Sequence, residues 1–265
     1  MLNVIVCLKQ VPDPEAPSSV YRIDDDGKHV TCKGVPPVIS TYDENALEAA
    51  LRIKDIMECK ITAVSMGKAL SKPILRKSLA AGADDLILLD NSAFVDLDSY
   101  ATAAVLAEAI KKIENYDLVL TGLQAADTNA GVVGPGIAEL LGIPCITSVR
   151  RINVEGSTVI AESVLPNGYR TLQASLPAVV TVNKSLGDLR TAATASLMEA
   201  QKRPVTVWTA EDLQIQPADY VKARLQNFYI PHHEPFVEMI TGATPDDMGA
   251  NLANKLFSIG AIKKS

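Results

Sequence analysis

The stretch DLVLTGLQAADTNAGVVGPGIAELLG, Asp117–Gly142, is where the chain changes period. Asp117–Gly122 is a short apolar run, as a buried strand requires, and Gly134–Gly142 has helical spacing closed by a glycine. The loop between them, Thr121–Gly136, holds four glycines, two threonines, Asn129 and Asp127. A loop from a buried parallel strand into a helix offers free backbone N–H groups and the positive end of the helix dipole. Both suit an anion, most often a phosphate. Gly131, Gly134 and Gly136 permit close backbone approach, and Gly122 permits a sharp exit from the strand. Thr128 adds a hydroxyl and Asn129 an amide. Asp127 would repel a phosphate, so it is expected to face a ribose hydroxyl or a backbone N–H. The chain has no G-x-x-x-x-G-K-S/T, and no G-x-G-x-x-G follows its first strand. No Lys or Arg lies within the loop, which favours a ligand with one or two phosphates held by backbone dipoles. A plain glycine-rich connection into a capped helix reads the same residues equally well.

Outward from this loop, the first 150 residues alternate strand and helix. Asn3–Leu8, Lys60–Met66, Asp85–Asp90 and Asp117–Gly122 are apolar runs, and PCITSVRRI adds a fifth strand. The helix in TYDENALEAALRIKDIM is expected to start with a capping box of Thr41 and Glu44. In SKPILRKSLAAGA, Ser71 is the cap, Pro73 sits in the first turn and Gly82 stops the helix. DLDSYATAAVLAEAIKKI is a third helix. Five strands with four helices predict an α/β fold, a doubly wound parallel sheet of Rossmann-like, nucleotide-binding type. Ligands of such sheets bind at the carboxyl ends of the strands, near the switch in strand order.

After Arg151 the pattern becomes antiparallel. RINVEGSTVIAES and GYRTLQASL alternate apolar with polar as an added β-hairpin would, PAVVTVN is another buried strand, and PVTVWTAEDL returns to a strand. From about Gln214 the period dissolves. The expected division is therefore a nucleotide-binding domain over 1–213 and a C-terminal arm with a helix over 214–265. That last helix is well marked: Thr244 as cap, Pro245 at the first position, Asp246 and Asp247 in the first turn, Gly260 as stop. Its Met248, Leu252 and Leu256 form one stripe that needs a cover.

Composition excludes several classes. The chain has 265 residues, 48% hydrophobic and 21% charged, with a net charge of −6 and scattered basic residues, unlike a nucleic-acid binder. Cys7, Cys32, Cys59 and Cys145 form no C-x-x-C pair and read as free thiols of a reducing compartment. No apolar run spans a bilayer and the first residues do not form a signal peptide, so a cytoplasmic protein is expected. His232-His233 read as surface residues rather than metal ligands. Asp24–Gly27 imitates half a calcium loop, but Val35 stands where the last ligand belongs, so it reads as a turn.

Six segments in a fixed order resemble the beta subunits of electron-transfer flavoproteins: VIVCLKQVPD, STYDENALEAALRIKD, AVSMG, LRKSLAAGADDLILLD, DLVLTGLQAADTNAGVVGPGIAELLGIP and LPAVVTVNKSLGDLR. The resemblance covers nearly the whole chain and implies the same fold, with the arm embracing an alpha subunit. It places the nucleotide site at the backbone of Cys7, the turn Ser40, Thr41, Tyr42 and Asp43, Met66, and the run from Gly122. In that run it marks Gln124, Ala125, Asp127, Thr128, Asn129, Ala130, Gly131, Val132, Val133 and Gly134. Members holding FAD have Val-Gly-Pro where members holding AMP have Thr-Gly. Val133-Gly134-Pro135 matches the first type, while Val132 replaces the usual Gln and loses its phosphate contact.

The resemblance therefore implies FAD, with AMP as the alternative. In the FAD reading NADH donates a hydride, one electron goes to a ferredoxin or flavodoxin, and the other passes by the alpha subunit to a flavin-dependent dehydrogenase. An acyl-CoA or a 2-hydroxy-acid dehydrogenase fits equally. Lys9, Gln10 and Gln124 are the candidates for tuning the flavin. By the same resemblance, residues 184–200 form the loop that docks the dehydrogenase, with Leu186 or Leu189 as a projecting anchor and Arg190 and Leu197 beside it. A distant alternative is a nucleotide-activating α/β enzyme. It requires Ser-Gly-Gly or His-x-Gly-His after the first strand, where CLKQVPDP stands instead.

Overall fold

The computed structural model describes residues 1–231 and 237–263; His232 and His233 lie outside them. Apolar and β-branched residues build β1 (Leu2–Leu8), and two small antiparallel pairs follow. These are β2 (Gln10–Val11) with β5 (Val38–Ile39), and the hairpin β3 (Tyr21–Ile23) with β4 (Val30–Cys32), whose turn is closed by Gly27 N–H on Asp24 O at 2.8 Å. Then come α1 (Thr41–Lys54), β6 (Cys59–Gly67), α2 (Lys72–Leu75), α3 (Lys77–Ala81), β7 (Asp85–Asp90), α4 (Ser99–Ile113), β8 (Leu118–Gly122) and α5 (Val133–Leu141). The second half holds β9 (Cys145–Glu155), β10 (Thr158–Leu165), β11 (Gly168–Ser175), β12 (Ala178–Val182), α6 (Thr194–Ala200), β13 (Thr206–Trp208) and α7 (Pro245–Ser258).

One nine-stranded sheet runs β11-β10-β9-β12-β8-β1-β6-β7-β13. The strands from β9 to β13 in that order are parallel, and β9, β10 and β11 continue antiparallel. The chain leaves β1 toward β6 and β7, then returns to place β8 on the opposite side of β1. The switch in strand order therefore lies between β1 and β8. Val4, Val6 and Leu8 pack on the α1 face with Leu47, Ala50 and Leu51. Ile5 and Cys7 pack on the other face with Val105, Ala109 and Ile137 of α4 and α5. This is the expected doubly wound sheet.

Two local expectations are corrected. The strand expected in PCITSVRRI and the antiparallel one expected from Arg151 are one: β9 pairs in parallel with β12 near Cys145 and antiparallel with β10 near Glu155. Register shifts at both pairings, with Ser148 at φ 57°, let it bend from one partner to the next. The cap of α1 is Ser40, and Thr41 is the first helical residue, so no Thr41–Glu44 capping box forms.

The chain divides into two compact units, Met1–Phe228 and Tyr229–Ser265. The first extends beyond residue 213 because Pro217 is buried and the N–H groups of Lys222 and Ala223 donate to Asp98 Oδ2 at 2.7 and 2.6 Å. In the second, α7 has its capping box and no buried residue.

Candidate functional site

The site grows from the carboxyl ends of β1 and β8 and the first turn of α1. Asp43 occupies the third helical position of α1 and is buried. Its Oδ2 accepts the N–H of Lys9, just beyond β1, at 2.8 Å, and its Oδ1 accepts the N–H of Gly122, the last residue of β8, at 3.0 Å. The approach is so close that a Cβ on Gly122 would lie 2.5 Å from Asp43 Oδ1 and 2.7 Å from Tyr42 Cβ. Burial pushes the Asp43 carboxyl up to about 7, although both N–H groups and the Lys9 charge pull it down. The same burial, helped by the Asp43 charge, raises the Cys7 thiol to about 12, so Cys7 is a neutral wall residue.

The first turn of α1 also holds the glycine-rich loop. Ser40 N–H donates to Lys9 O at 2.8 Å, and Ser40 Oγ accepts the Ala126 N–H at 3.2 Å. Lys9 Nζ pairs with Asp127 Oδ2 at 2.6 Å. The loop has no basic residue of its own, and the end of β1 supplies one. Asp127 also accepts the Thr128 N–H at 2.8 Å, so it faces a backbone N–H and a cation as its charge demands. Within the loop Gln124 Nε2 donates to Asn129 Oδ1 at 2.9 Å and Asn129 N–H to Ala125 O at 2.9 Å. Asn129 and Gly131 take positive φ values of 52° and 67° to turn the chain toward α5.

The loop ends on α5 at Val132, which has no side-chain cap. The N–H groups of Val133 and Gly134 in the first turn have no carbonyl of the helix to bond, and Pro135 has no N–H. Such N–H groups suit an acceptor from outside the helix, an anion among them. Gly134 is the second close approach: a Cβ there would lie 2.6 Å from both Thr121 Oγ1 and Thr181 Cγ2. Val132 is 52% exposed.

The structure thus brings together Cys7, Lys9, Ser40, Thr41, Tyr42, Asp43, Gly122 and the loop through Ala130 to Gly134. Met66 stands at the same edge one strand further, at the end of β6. Ala126, which acts through its backbone N–H, and Thr121 lie in the stretch read from sequence without being singled out, and Thr181, which with Thr121 walls Gly134, lies outside it.

The segment 184–200 differs from its expectation in one respect. Leu186 does not project: it is 6% exposed and belongs to the core, and Leu189 packs partly against that core. Arg190 folds back on α1, where its guanidinium reaches Glu48 Oε2 at 3.0 Å and Asp55 Oδ2 at 2.7 Å. Burial alone would raise the Glu48 carboxyl, but the Arg190 hydrogen bonds outweigh it and hold it below the usual range. Asn45 Nδ2 donates to Gly187 O at 2.6 Å and Arg52 to Leu186 O at 2.9 Å. The exposed apolar residues are on α6, Leu197 and Met198, the latter 65% exposed. A cleft of about 430 Å³ lined by Thr41, Asn45, Lys184 and Arg190 joins this segment to the start of α1.

Among the described residues no cluster of His, Cys, Asp and Glu could hold a metal, and no helix is long and apolar enough to cross a membrane. Residues 29–213 match the model of the electron transfer flavoprotein domain. The chain is 35% identical to the Caffeyl-CoA reductase-Etf complex subunit CarD of Acetobacterium woodii, over 96% of its length and 98% of the relative's. It is 40% identical to the electron transfer flavoprotein subunit beta of Thermoanaerobacterium thermosaccharolyticum, over 81% of each chain. It is 36% identical to the protein FixA of Azorhizobium caulinodans, over 81% of this chain and 76% of the relative.

Proposed function

The chain belongs to the electron transfer flavoprotein beta-subunit family, and from that premise we propose that its crevice between β1 and β8 holds FAD. The observation that carries this reading is the uncapped start of α5, where free N–H groups meet the close approach at Gly134. Both features suit a diphosphate held by backbone. Val133-Gly134-Pro135, the pattern of the FAD-holding type, favours FAD over AMP, while Val132 supplies no side-chain contact to a phosphate.

When bound, FAD would supply the redox chemistry, two-electron exchange with NADH and one-electron exchange with the partners. The chain's own residues bind and orient. Val133 and Gly134 offer N–H groups to the diphosphate, Asp127 and Asn129 offer acceptors to ribose hydroxyls, and Lys9 brings a positive charge to the crevice. Buried Cys7 walls the site without taking part in proton transfer.

In this reading an alpha subunit covers the apolar stripe of α7, and Leu197 and Met198 on α6 face a flavin-dependent dehydrogenase. Similarity to a subunit of a caffeyl-CoA reductase complex supports a partner that acts on a CoA thioester. A ferredoxin or flavodoxin accepts the low-potential electron. The test is the visible spectrum and extracted nucleotide of the complex purified with its alpha subunit. Two flavins per heterodimer support the reading; one flavin with one AMP sinks it.

A further inference from the structure

We propose that Asp43 is the positioning residue of the nucleotide crevice, holding the ends of β1 and β8 at one spacing and, through Lys9, setting the loop that meets the phosphates. The inference rests on the reading of the crevice as a nucleotide site. Its support is a closed circuit of hydrogen bonds across three chain segments. Asp43 takes the N–H of Lys9 and of Gly122, one on each oxygen. Lys9 returns its carbonyl to Ser40 N–H and sends its ammonium to Asp127 in the loop. Ser40 closes the circuit by accepting the Ala126 N–H. The members lie on the end of β1, the start of α1, and β8 with the loop that follows it, and Asp43 joins the first and the last of these at once.

The geometry needs a carboxylate. Two N–H donors point at two different oxygens, and only the ionised group accepts fully on both. An asparagine would set its NH2 against one of the donors and push that segment away. A ligand would then bind only after re-forming the crevice, which weakens affinity without removing any contact to the ligand. The charged groups facing Asp43 are Lys9 beyond β1 and Asp127 in the loop, with the neutral thiol of Cys7 on β1. Burial places the ionisation of Asp43 at about 7, so the state of the crevice changes with pH in the neutral range. Below that value one oxygen carries a proton and its N–H bond weakens.

The experiment titrates the full chain, freed of nucleotide, with ADP-ribose by calorimetry from about pH 5.5 to about pH 8.5. ADP-ribose carries an adenosine diphosphate whose phosphates stay ionised over that range. Wild type is expected to bind more tightly as pH rises through about 7. Asp43→Asn is expected to bind roughly tenfold to hundredfold more weakly above the inflection, and to lose the inflection. Lys9→Met keeps the backbone N–H on Asp43 but removes the cation that lowers its pKa. Its inflection should move to higher pH, and this variant decides the matter if Asp43→Asn does not fold. A wild-type profile without inflection overturns the inference, as does an Asp43→Asn profile equal to wild type, or a Lys9→Met inflection that stays in place. Failure of wild type to bind ADP-ribose at any pH overturns the nucleotide reading as well.

Discussion

Two helices of this chain begin with the same side-chain pattern and use it in opposite ways. α7 starts with Thr244 at the cap and Asp247 at the third position, and α1 starts with Ser40 at the cap and Asp43 at the third position. In α7 the pair serves the helix. Thr244 Oγ1 accepts the Asp247 N–H at 3.2 Å, and Asp247 Oδ2 accepts the Thr244 N–H at 3.0 Å. In α1 both side chains are withdrawn from the helix and given to Ala126, Lys9 and Gly122. The difference follows burial. Nine residues of α1 are buried and none of α7, so α1 holds its shape by packing and can lend its cap to a site. A capping pattern whose side chains look outward marks a helix that the core has already stabilised.

The strongest way to break that contrast is Gly122→Ala. The new methyl would meet the backbone of Tyr42 at 2.8 Å as well as Asp43, so α1 would have to move from β8. Overpacking against backbone, with loss of the Asp43 bond, is expected to cost roughly 3 kcal/mol or more. Denaturant unfolding measures it, and a cost under about 1 kcal/mol would show that the approach is loose.

Arg190→Met tests the other end of α1. It leaves Glu48, whose side chain is 6% exposed, with Arg52 as its remaining cation, and releases the segment after Leu186. Because Arg190 itself is partly exposed, solvent screens the pair and the expected loss is about 1–2 kcal/mol. Proteolysis should accelerate in residues 187–193 and not at α7. Equal acceleration at both would mean that the segment is not pinned by α1.

The contrast also explains what could be read from sequence. The strand–loop–helix at Asp117–Gly142 was legible because period and glycine placement are local signals, and α7 was legible to its cap for the same reason. The start of α1 misled because Thr41 and Glu44 match the capping pattern in sequence as well as Ser40 and Asp43 do, and neither pair makes the box. Choosing between them takes knowledge of what lies across the crevice. The Lys9–Asp127 pair and the Ala126 N–H contact join residues far apart in sequence, one through a flexible cation and one through backbone. Leu186 looked like a projecting anchor because an apolar residue in a polar loop reads alike whether it points in or out. The continuity of β9 was hidden because its pattern changes where its partner changes, from β12 to β10.

Two smaller predictions concern the region that caps itself. Thr244→Ala removes the reciprocal bonds and is expected to cost about 1 kcal/mol of local helix stability. It should appear as faster amide exchange in residues 245–250, with the denaturant midpoint of Met1–Phe228 unchanged. The same substitution at Ser40 should instead disturb the loop at Ala126 while α1 keeps its exchange protection. If Ser40→Ala frays α1, the idea that packing frees its cap is wrong.

Leu252→Asp has the least expected effect on the chain and the most on its assembly. Leu252 is 46% exposed in the centre of the α7 stripe, and no residue of the helix is buried, so the fold has little to lose from a charge there. Thermal unfolding of the chain alone should match wild type. Copurification with the proposed alpha subunit should fail, because burying an unpaired carboxylate costs far more than an apolar contact returns. If Leu252→Asp unfolds the chain, the stripe is covered from within; if assembly survives, the partner lies elsewhere. Either result separates a helix whose stability ends at its own cap from one that, like α1, is held by what it packs against.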